Sequence, residues 1–193
     1  MGFDILSELE KVGGFLSGHF VLKSGKHSDR YLDKDCLYVK PDVTERVGRA
    51  LARLAADSFD PESFDVVLGP ALGGVLLASY AARNLGTLSV FAEKDGEGFA
   101  VKRQAKWLKG ANVLITEDIC TTAGTIQAVA DLVEPLGGKL IGGVCLINRG
   151  NVHLPWLRSL ATLDIESWAP ADCPLCARGV PIDTNVGHGA KKG

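Results

Sequence analysis

Apolar residues along this chain are grouped in two ways. Continuous short runs are typical of buried strands, and they occur at residues 64–68, 88–92, 113–116, 139–147 and near 160–166. Segments with an apolar residue at every third or fourth position follow some of these runs and predict helices over 75–85 and 124–136. Strands that alternate with helices are typical of α/β proteins, so we expect a central parallel sheet with helices on both faces.

The first forty residues depart from this alternation. Residues 4–12 predict a short amphipathic helix, and residues 18–39 alternate loosely around several aromatic side chains. We expect short strands and turns there, forming a small N-terminal hood within residues 1–40. The next segment places Asp42 three residues before Glu45, a spacing that predicts a helix start with an acidic cap.

Two later segments have no clear period. Residues 95–110 are polar and basic, which predicts a mobile loop, and residues 170–193 form a tail rich in proline and glycine. We find no internal repeat and no linker between these segments, so we expect a single domain over residues 1–193.

Composition narrows the class of protein. With 193 residues, of which 46% are hydrophobic, the chain can bury a full core. Its net charge of -2 argues against a general nucleic-acid binder or a protein of anionic membranes. The sequence contains no apolar run of membrane-spanning length and no signal-like N-terminus, and its five cysteines are an odd number. We therefore expect reduced thiols and a cytoplasmic protein.

The segment 113–125 carries the most informative chemistry. Two acids and a run of small residues separate its strand from the next helix. Unpaired backbone N–H groups at such a turn bind anions, and paired carboxylates accept hydrogen bonds from a vicinal diol. A phosphate site beside a diol site describes a ribose 5-phosphate, whereas an ordinary turn with a capping threonine would not need the acids. The expected contact residues are Glu117, Asp118, Thr121, Thr122, Ala123, Gly124 and Thr125.

This segment resembles the signature with which type I phosphoribosyltransferases bind phosphoribosyl pyrophosphate (PRPP). That signature is a hydrophobic strand, two acids and then Thr-Thr-Gly-Gly-Thr or a near variant. Ala123 stands here for the first glycine and Glu117 for the first of two common aspartates. Dinucleotide and Walker A loops are excluded, because the chain has neither G-x-G-x-x-G after a strand nor G-K-[ST].

A second glycine-rich turn follows the strand at 64–68. Ligands of open α/β sheets bind beyond the carboxyl ends of the strands, so we expect this turn and the first one at the same edge. In the family that the first turn resembles, the corresponding loop holds the pyrophosphate of PRPP. The resemblance therefore assigns pyrophosphate contacts to Ala71, Leu72, Gly73 and Gly74.

Residues 18–33 are similar to the F-x-L-x-S-G-x-x-S-x-x-Y-x-(D/N) signature of orotate phosphoribosyltransferases. Lys23 offers a cation to a base that carries a carboxylate, and Tyr31 can border a planar ring. The resemblance implies that these two residues bind orotate together with Arg149, which follows the penultimate strand.

Two parts of the family pattern are missing. Well-studied members have a lysine near Gly73 and Arg-Lys-x-x-Lys-x-His-Gly in the mobile loop, but residues 95–110 contain no histidine. Lys94, Lys102 and Arg103 are the best candidates for the cations that stabilise the departing pyrophosphate. We expect them, with Asp118, to be the catalytic residues, and we expect a homodimer in which each loop closes over the partner's site.

The tail contains Cys173 and Cys176 in a C-x-x-C pattern, similar to the tail of one bacterial branch of these enzymes. The pattern is weak evidence for zinc, because a zinc site needs four ligands and no second pair lies at finger spacing. A thioredoxin-like role lacks the expected βαβ context. We therefore expect no metal bound by the protein itself.

The resemblance implies that this chain is an orotate phosphoribosyltransferase of pyrimidine synthesis. Its expected cofactor is Mg²⁺, held mainly by PRPP and water, and its expected small-molecule partners are PRPP and orotate, with no nucleic acid and no membrane. One alternative is a phosphoribosyltransferase for a purine or another base. Another is a non-catalytic regulator that senses PRPP or nucleotides on the same fold.

Overall fold

The computed structural model describes residues 3–60, 63–150 and 152–186. These residues form two compact units. The first contains residues 3–8 and 37–163, and the second contains residues 9–36 and 164–186. The short helix α1 (Ile5–Lys11) runs from the first unit into the second.

The first unit is a six-stranded sheet with helices. Its strands are β3 (Val66–Pro70), β4 (Leu88–Asp95), β5 (Gly98–Ala100), β6 (Asn112–Cys120), β7 (Lys139–Asn148) and β8 (Leu157–Thr162). Its helices are α2 (Pro41–Ser58), α3 (Gly73–Leu85) and α4 (Gly124–Ala130). The α/β alternation predicted from the apolar pattern is confirmed.

The strand order is β5-β4-β3-β6-β7-β8. Neighbouring strands from β4 to β8 run parallel, whereas β5 is an antiparallel edge strand, so the sheet is mixed rather than purely parallel. Consecutive residues of β6 (Val113, Leu114 and Ile115) are all buried. This burial is what a central strand covered on both faces requires.

Several predicted boundaries of strands and helices are wrong. Strand β6 continues to Cys120 instead of ending at residue 116, because β7 pairs with it as far as Asn148. Helix α4 ends at Ala130 instead of residue 136, and residues 131–137 form turns. Pro135 lies in that segment and has no N–H to continue a helix. Strand β8 begins at Leu157, earlier than expected.

The predicted acidic cap at Asp42 is also wrong. Helix α2 begins at Pro41, with Lys40 as its N-cap residue and no side-chain hydrogen bond at the cap. Proline at the first helical position lacks only an N–H that would be unpaired in any case. Asp42 instead pairs with Arg46 one turn further along, at 3.0 Å. At the other end of the next helix, Gly86 adopts a left-handed conformation and ends α3 where the sequence predicts.

The segment 95–110 has more regular structure than the sequence suggests. Strand β5 pairs back on β4, and a turn of 3₁₀ helix spans Ala105–Trp107. Val101 and Leu108 are buried and anchor the segment in the hydrophobic core. The expected mobility of this segment stays a prediction.

The second unit contains a hairpin and the tail. Strands β1 (Phe15–Val21) and β2 (His27–Leu32) pair antiparallel, which confirms the predicted strands of the hood. The tail includes a 3₁₀ turn (Pro170–Asp172) and the short helix α5 (Pro174–Ala177). Within the part of the chain that the structure describes, no helix is both long and apolar enough to cross a membrane.

Candidate active site

The two acids of the first turn lie at the end of β6. Glu117 pairs with Cys145 of β7 in the strand register, so both acids belong to the strand instead of following it. The Glu117 side chain is buried, and Asp118 is half-buried. Each carboxylate accepts a hydrogen bond from the next backbone N–H, from Asp118 N at 2.9 Å and from Ile119 N at 2.6 Å. The acid pair is therefore held by the backbone of its own strand.

The electrostatics of the pair are unusual. Burial, and then the charge of Asp118, raise the pKa of Glu117 well above its usual range. Its Oε2 is buried and accepts no hydrogen bond among the described residues. A buried carboxyl oxygen without a donor is costly, and a hydroxyl donor from a ligand would satisfy it.

The turn that follows forms a small pocket with this carboxylate. The pocket is lined by Glu117 and by residues 119–126. The three threonines of the turn are exposed, and Gly124 begins α4. Ala123 has a φ of 59°, a left-handed conformation that glycine adopts more easily, which explains the glycine in the family signature. The structure thus brings the predicted ribose-phosphate residues together: Glu117, Thr121, Thr122, Ala123, Gly124 and Thr125.

The end of β7 lies against the same turn. The backbone N–H of Arg149 donates to Cys120 O at 2.7 Å, which places Arg149 beside the start of the turn. At Gly150 a Cβ atom would lie 2.7 Å from Thr121 O, and its φ of 120° also requires glycine. Sequence reasoning missed Gly150, although a glycine directly after a strand and an arginine is a usable signal.

The glycine-rich turn after β3 meets the acid pair. A Cβ atom on Gly73 would overlap Oδ2 of Asp118, and the Oγ1 of Thr116 donates to Gly74 O at 3.3 Å. Leu72 is exposed, and the peptide bond between Ala71 and Leu72 is cis. The two turns therefore lie side by side, as expected for carboxyl ends of neighbouring parallel strands. A lysine at position 73 would displace the Asp118 carboxylate.

Substitution of Gly73 tests this contact. We expect Gly73→Ala to lower turnover about tenfold while leaving the thermal midpoint nearly unchanged, because the side chain that must move is the end of Asp118. In an Asp118→Ala background the overlap is gone, so the same substitution should have little further effect. Turnover and thermal unfolding are measured for Gly73→Ala against wild type, and for Gly73→Ala/Asp118→Ala against Asp118→Ala. Equal losses in the two backgrounds would contradict a contact between Gly73 and Asp118.

The candidate loop cations lie along the β4–β5 hairpin. Lys94 and Arg103 are exposed, and the Lys102 Nζ lies 3.6 Å from Asp95 and 3.8 Å from Glu93. Lys102 therefore forms ion pairs with two carboxylates of its own hairpin. Such exposed ion pairs contribute little to stability, so Lys102 can exchange them for another anion at low cost.

The candidate orotate residues Lys23 and Tyr31 lie in the second unit. Lys23 is exposed in the turn between β1 and β2, which Gly25 closes with a left-handed φ of 78° and a hydrogen bond from its N–H to Leu22 O at 2.9 Å. The Tyr31 ring packs against Phe20, with ring centroids 5.6 Å apart. Their contacts with a base remain predictions.

Comparison with known proteins identifies the family. A family model described as "Phosphoribosyl transferase domain" matches residues 37–176. An orotate phosphoribosyltransferase of Caldanaerobacter subterraneus subsp. tengcongensis is 36% identical over 181 residues, covering 92% of this chain and 93% of the relative. The chain belongs to the orotate phosphoribosyltransferase family. The orotate phosphoribosyltransferase of Thermotoga maritima is likewise 36% identical, with 95% and 97% of the two chains covered.

Solved structures agree on the fold. The orotate phosphoribosyltransferase of Mycobacterium tuberculosis superposes with a TM-score of 0.66 at 23% identity, covering 83% of this chain and 97% of that one. An adenine phosphoribosyltransferase of Thermoanaerobacter pseudethanolicus gives a TM-score of 0.61 at 22% identity, with 82% and 98% covered. At these identities the likeness shows the type I phosphoribosyltransferase fold, which enzymes for different bases share.

Proposed function

We propose that this chain catalyses the transfer of the ribose 5-phosphate group from PRPP to orotate, giving orotidine 5′-monophosphate and pyrophosphate in pyrimidine synthesis. The observation that carries the proposal is the acid pair at the end of β6. Glu117 has a buried oxygen with no hydrogen-bond donor among the described residues, and this residue lines a pocket together with the threonine-rich turn. Membership in the orotate phosphoribosyltransferase family supports orotate as the base.

The turn and the acid pair bind different parts of PRPP. The 5-phosphate lies on the N–H groups and hydroxyls of residues 121–125, and the ribose diol donates hydrogen bonds to Glu117 and Asp118. The second turn, at residues 70–74, holds the pyrophosphate. Because Gly73 packs against Asp118, the pyrophosphate and the diol are bound at adjacent positions.

The reaction then needs positioning and charge stabilisation more than a strong base. Orotate N1, which is already acidic, forms the bond to C1 of the ribose as the bond from C1 to the pyrophosphate oxygen breaks with its electron pair. The N1 proton is lost to solvent. Positive charge develops on the ribose and negative charge on the leaving group, so the carboxylates act on the ribose and the loop cations act on the pyrophosphate.

A bound Mg²⁺ would neutralise part of the negative charge of the pyrophosphate. It prefers oxygen ligands and keeps several waters, so few protein ligands are needed. Among the described residues that line the pocket beside the turn, Glu117 is the only charged one, which fits a cation held mainly by PRPP and water. The same proposal places the protein in the cytoplasm. It also includes a homodimer, in which the loop of one subunit closes over the site of the other.

Arg149 is expected to bind the base. We expect Arg149→Ala to raise KM for orotate about 10–100-fold, the cost of losing a hydrogen bond to a charged group, and to raise KM for PRPP less than about threefold. Initial rates with each substrate varied in turn measure both constants. Arg158→Ala, on the exposed side of β8, is the matched control. Equal losses for both substrates would exclude Arg149 as the base contact.

The assay that tests the function is PRPP-dependent loss of orotate absorbance, with uracil, adenine and hypoxanthine run in parallel. The proposal expects turnover with orotate and Mg²⁺ and little with the other bases. Turnover with a purine would identify a different base specificity. Binding of PRPP without turnover on any base would indicate a regulator on this fold.

A further inference from the structure

The proposed function leaves a cluster of four side chains in the second unit without a role, three of them buried. His19 and His27 come from the hairpin, and Cys173 and Cys176 come from the tail. One ligand atom from each residue lies within 4.8 Å of the other three. We propose that these four residues form a structural zinc site that fastens the tail to the hairpin.

The distances fit tetrahedral coordination. With Zn–N of about 2.0–2.1 Å and Zn–S of about 2.3 Å, ligand atoms around zinc are separated by about 3.3 Å for N–N and about 3.6 Å for N–S. The His19 Nε2 lies 3.6 Å from Cys173 Sγ and 3.7 Å from Cys176 Sγ, and His27 Nδ1 lies 3.3 Å from Cys176 Sγ. The two nitrogens, 2.8 Å apart, would separate by roughly half an ångström on binding.

The hydrogen bonding of His19 selects the nitrogen that faces the cluster. Its Nδ1 lies 2.7 Å from the carbonyl oxygen of Val180. A carbonyl only accepts, so Nδ1 carries the proton and donates it. The lone pair of Nε2 then points into the cluster, where it accepts a hydrogen bond from His27 Nδ1 at 2.8 Å in the absence of an ion. A backbone carbonyl that fixes the tautomer of a histidine in this way is the common outer contact of zinc-bound histidines.

Three features of the backbone position the four residues. His27 exchanges two backbone hydrogen bonds with Trp168, both 2.8 Å long. A bulge in β1 places residues 18 and 19 opposite a single residue of β2, and this lets the consecutive side chains of His19 and Phe20 both be buried. Cys173 precedes α5, where Pro174 begins one helical turn that brings Cys176 back beside it. These supports reduce the cost of ordering the ligands.

Charge also favours a divalent cation. Two thiolates and two neutral imidazoles carry a total charge of about -2, which Zn²⁺ neutralises. Sulfur and imidazole ligands bind zinc better than they bind magnesium, which prefers oxygen. His19, His27 and Cys173 are buried, whereas Cys176 is exposed, so an ion can enter from that side. The ring nitrogens and sulfurs fill all four positions, which is typical of structural rather than catalytic zinc.

The site would stabilise the hairpin that carries Lys23. His27 begins β2 directly after the turn of residues 22–26, so an ion bound at His27 restricts that turn. If the proposed function holds, metal removal should raise KM for orotate through Lys23. The metal site itself does not depend on that function, and its test needs no enzyme assay.

The test is metal analysis of the full-length chain purified under reducing conditions, followed by Co²⁺ substitution. We expect about one zinc per chain, and visible d–d bands with thiolate-to-cobalt charge transfer typical of tetrahedral sulfur-containing sites. Cys173→Ser and His27→Asn should bind at least about tenfold less tightly, whereas Cys36→Ser and His153→Gln, outside the cluster, should bind normally. Cys176→His should keep the ion with weaker charge transfer.

Two results would overturn the proposal. One is a wild-type chain that binds neither Zn²⁺ nor Co²⁺ above the level of Cys173→Ser. The other is a purified chain in which Cys173 and Cys176 form a disulfide and the Co²⁺ spectrum lacks thiolate bands after reduction. Because the wild-type spectrum reports the ligands directly, a variant that fails to fold leaves the test intact. Absence of orotate turnover with the metal bound would count against the proposed function alone.

Discussion

Replacement of Asp118 by asparagine should lower PRPP-dependent turnover by at least about 100-fold, equivalent to about 2.7 kcal/mol of transition-state stabilisation. Asp118 lies where β6 meets both turns, and its carboxylate is positioned by the N–H of Ile119 at 2.6 Å. An asparagine keeps that acceptor and its size but loses the charge that faces the developing cation. The fold should therefore remain while the rate falls.

The measurements are steady-state kinetics with orotate and PRPP, and thermal unfolding of the same samples. Asp131→Asn is the matched control, because Asp131 is exposed at the end of α4 and its carboxylate accepts a hydrogen bond from Gln127, four residues earlier, at 2.8 Å. Turnover within about twofold of wild type, far below the 1.4 kcal/mol of a tenfold change, would show that the acid pair is not the ribose site.

Glu117 makes the folding stability depend on pH. The dependence is opposite to that of a carboxylate in an ion pair, whose pKa is lowered on folding. Burial, and then the charge of the neighbouring Asp118, raise the pKa of Glu117 above its usual range, so the folded protein holds the proton of this carboxyl more tightly than the unfolded chain does. A carboxyl whose pKa is raised on folding costs stability as pH increases from its unfolded pKa toward its folded pKa. A perturbed pKa of this kind, caused by burial and a neighbouring charge, is typical of functional sites.

The features that sequence predicts best are those with local causes. Gly86 ends α3 as expected because glycine adopts the left-handed cap without steric cost. The pocket residues 121–125 follow from one continuous motif. The extension of β6 to Cys120 depends on pairing with β7, which no local pattern reports. Pro41 is a stronger start signal for α2 than the acidic spacing of Asp42 and Glu45, because proline fits the first helical position.

The four residues of the proposed zinc site show why long-range clusters are missed. Cys173 and Cys176 form a visible pair, but their neighbours His19 and His27 precede them by about 150 residues. The contact depends on the β1 bulge and on the backbone pairing of His27 with Trp168. Neither is encoded in a short motif, so a search for a second ligand pair at finger spacing does not find His19 and His27.

The loop cations define the other large expected effect. Lys94, Lys102 and Arg103 lie on or after the β4–β5 hairpin, and in the unliganded chain Lys102 is shared between Glu93 and Asp95. An arriving pyrophosphate carries more charge than either carboxylate and can take Lys102 from them at low cost. The triple variant Lys94→Ala/Lys102→Ala/Arg103→Ala should lose at least about 100-fold in kcat, with KM for PRPP within about threefold, because the contacts form mainly with the departing charge.

Mixed dimers determine whether these cations act on their own subunit or on the partner. A mixed dimer of one Asp118→Asn subunit and one triple-variant subunit contains one intact site only if each loop serves the neighbouring subunit. Random mixing in equal amounts should then restore about a quarter of wild-type activity, since half of the dimers are mixed and each has one working site. A triple variant paired with Lys139→Ala, an exposed lysine at the opposite end of β7, controls for subunit exchange. Verified mixed dimers without recovered activity would mean that the loop serves its own subunit, and a monomeric protein would exclude the arrangement altogether.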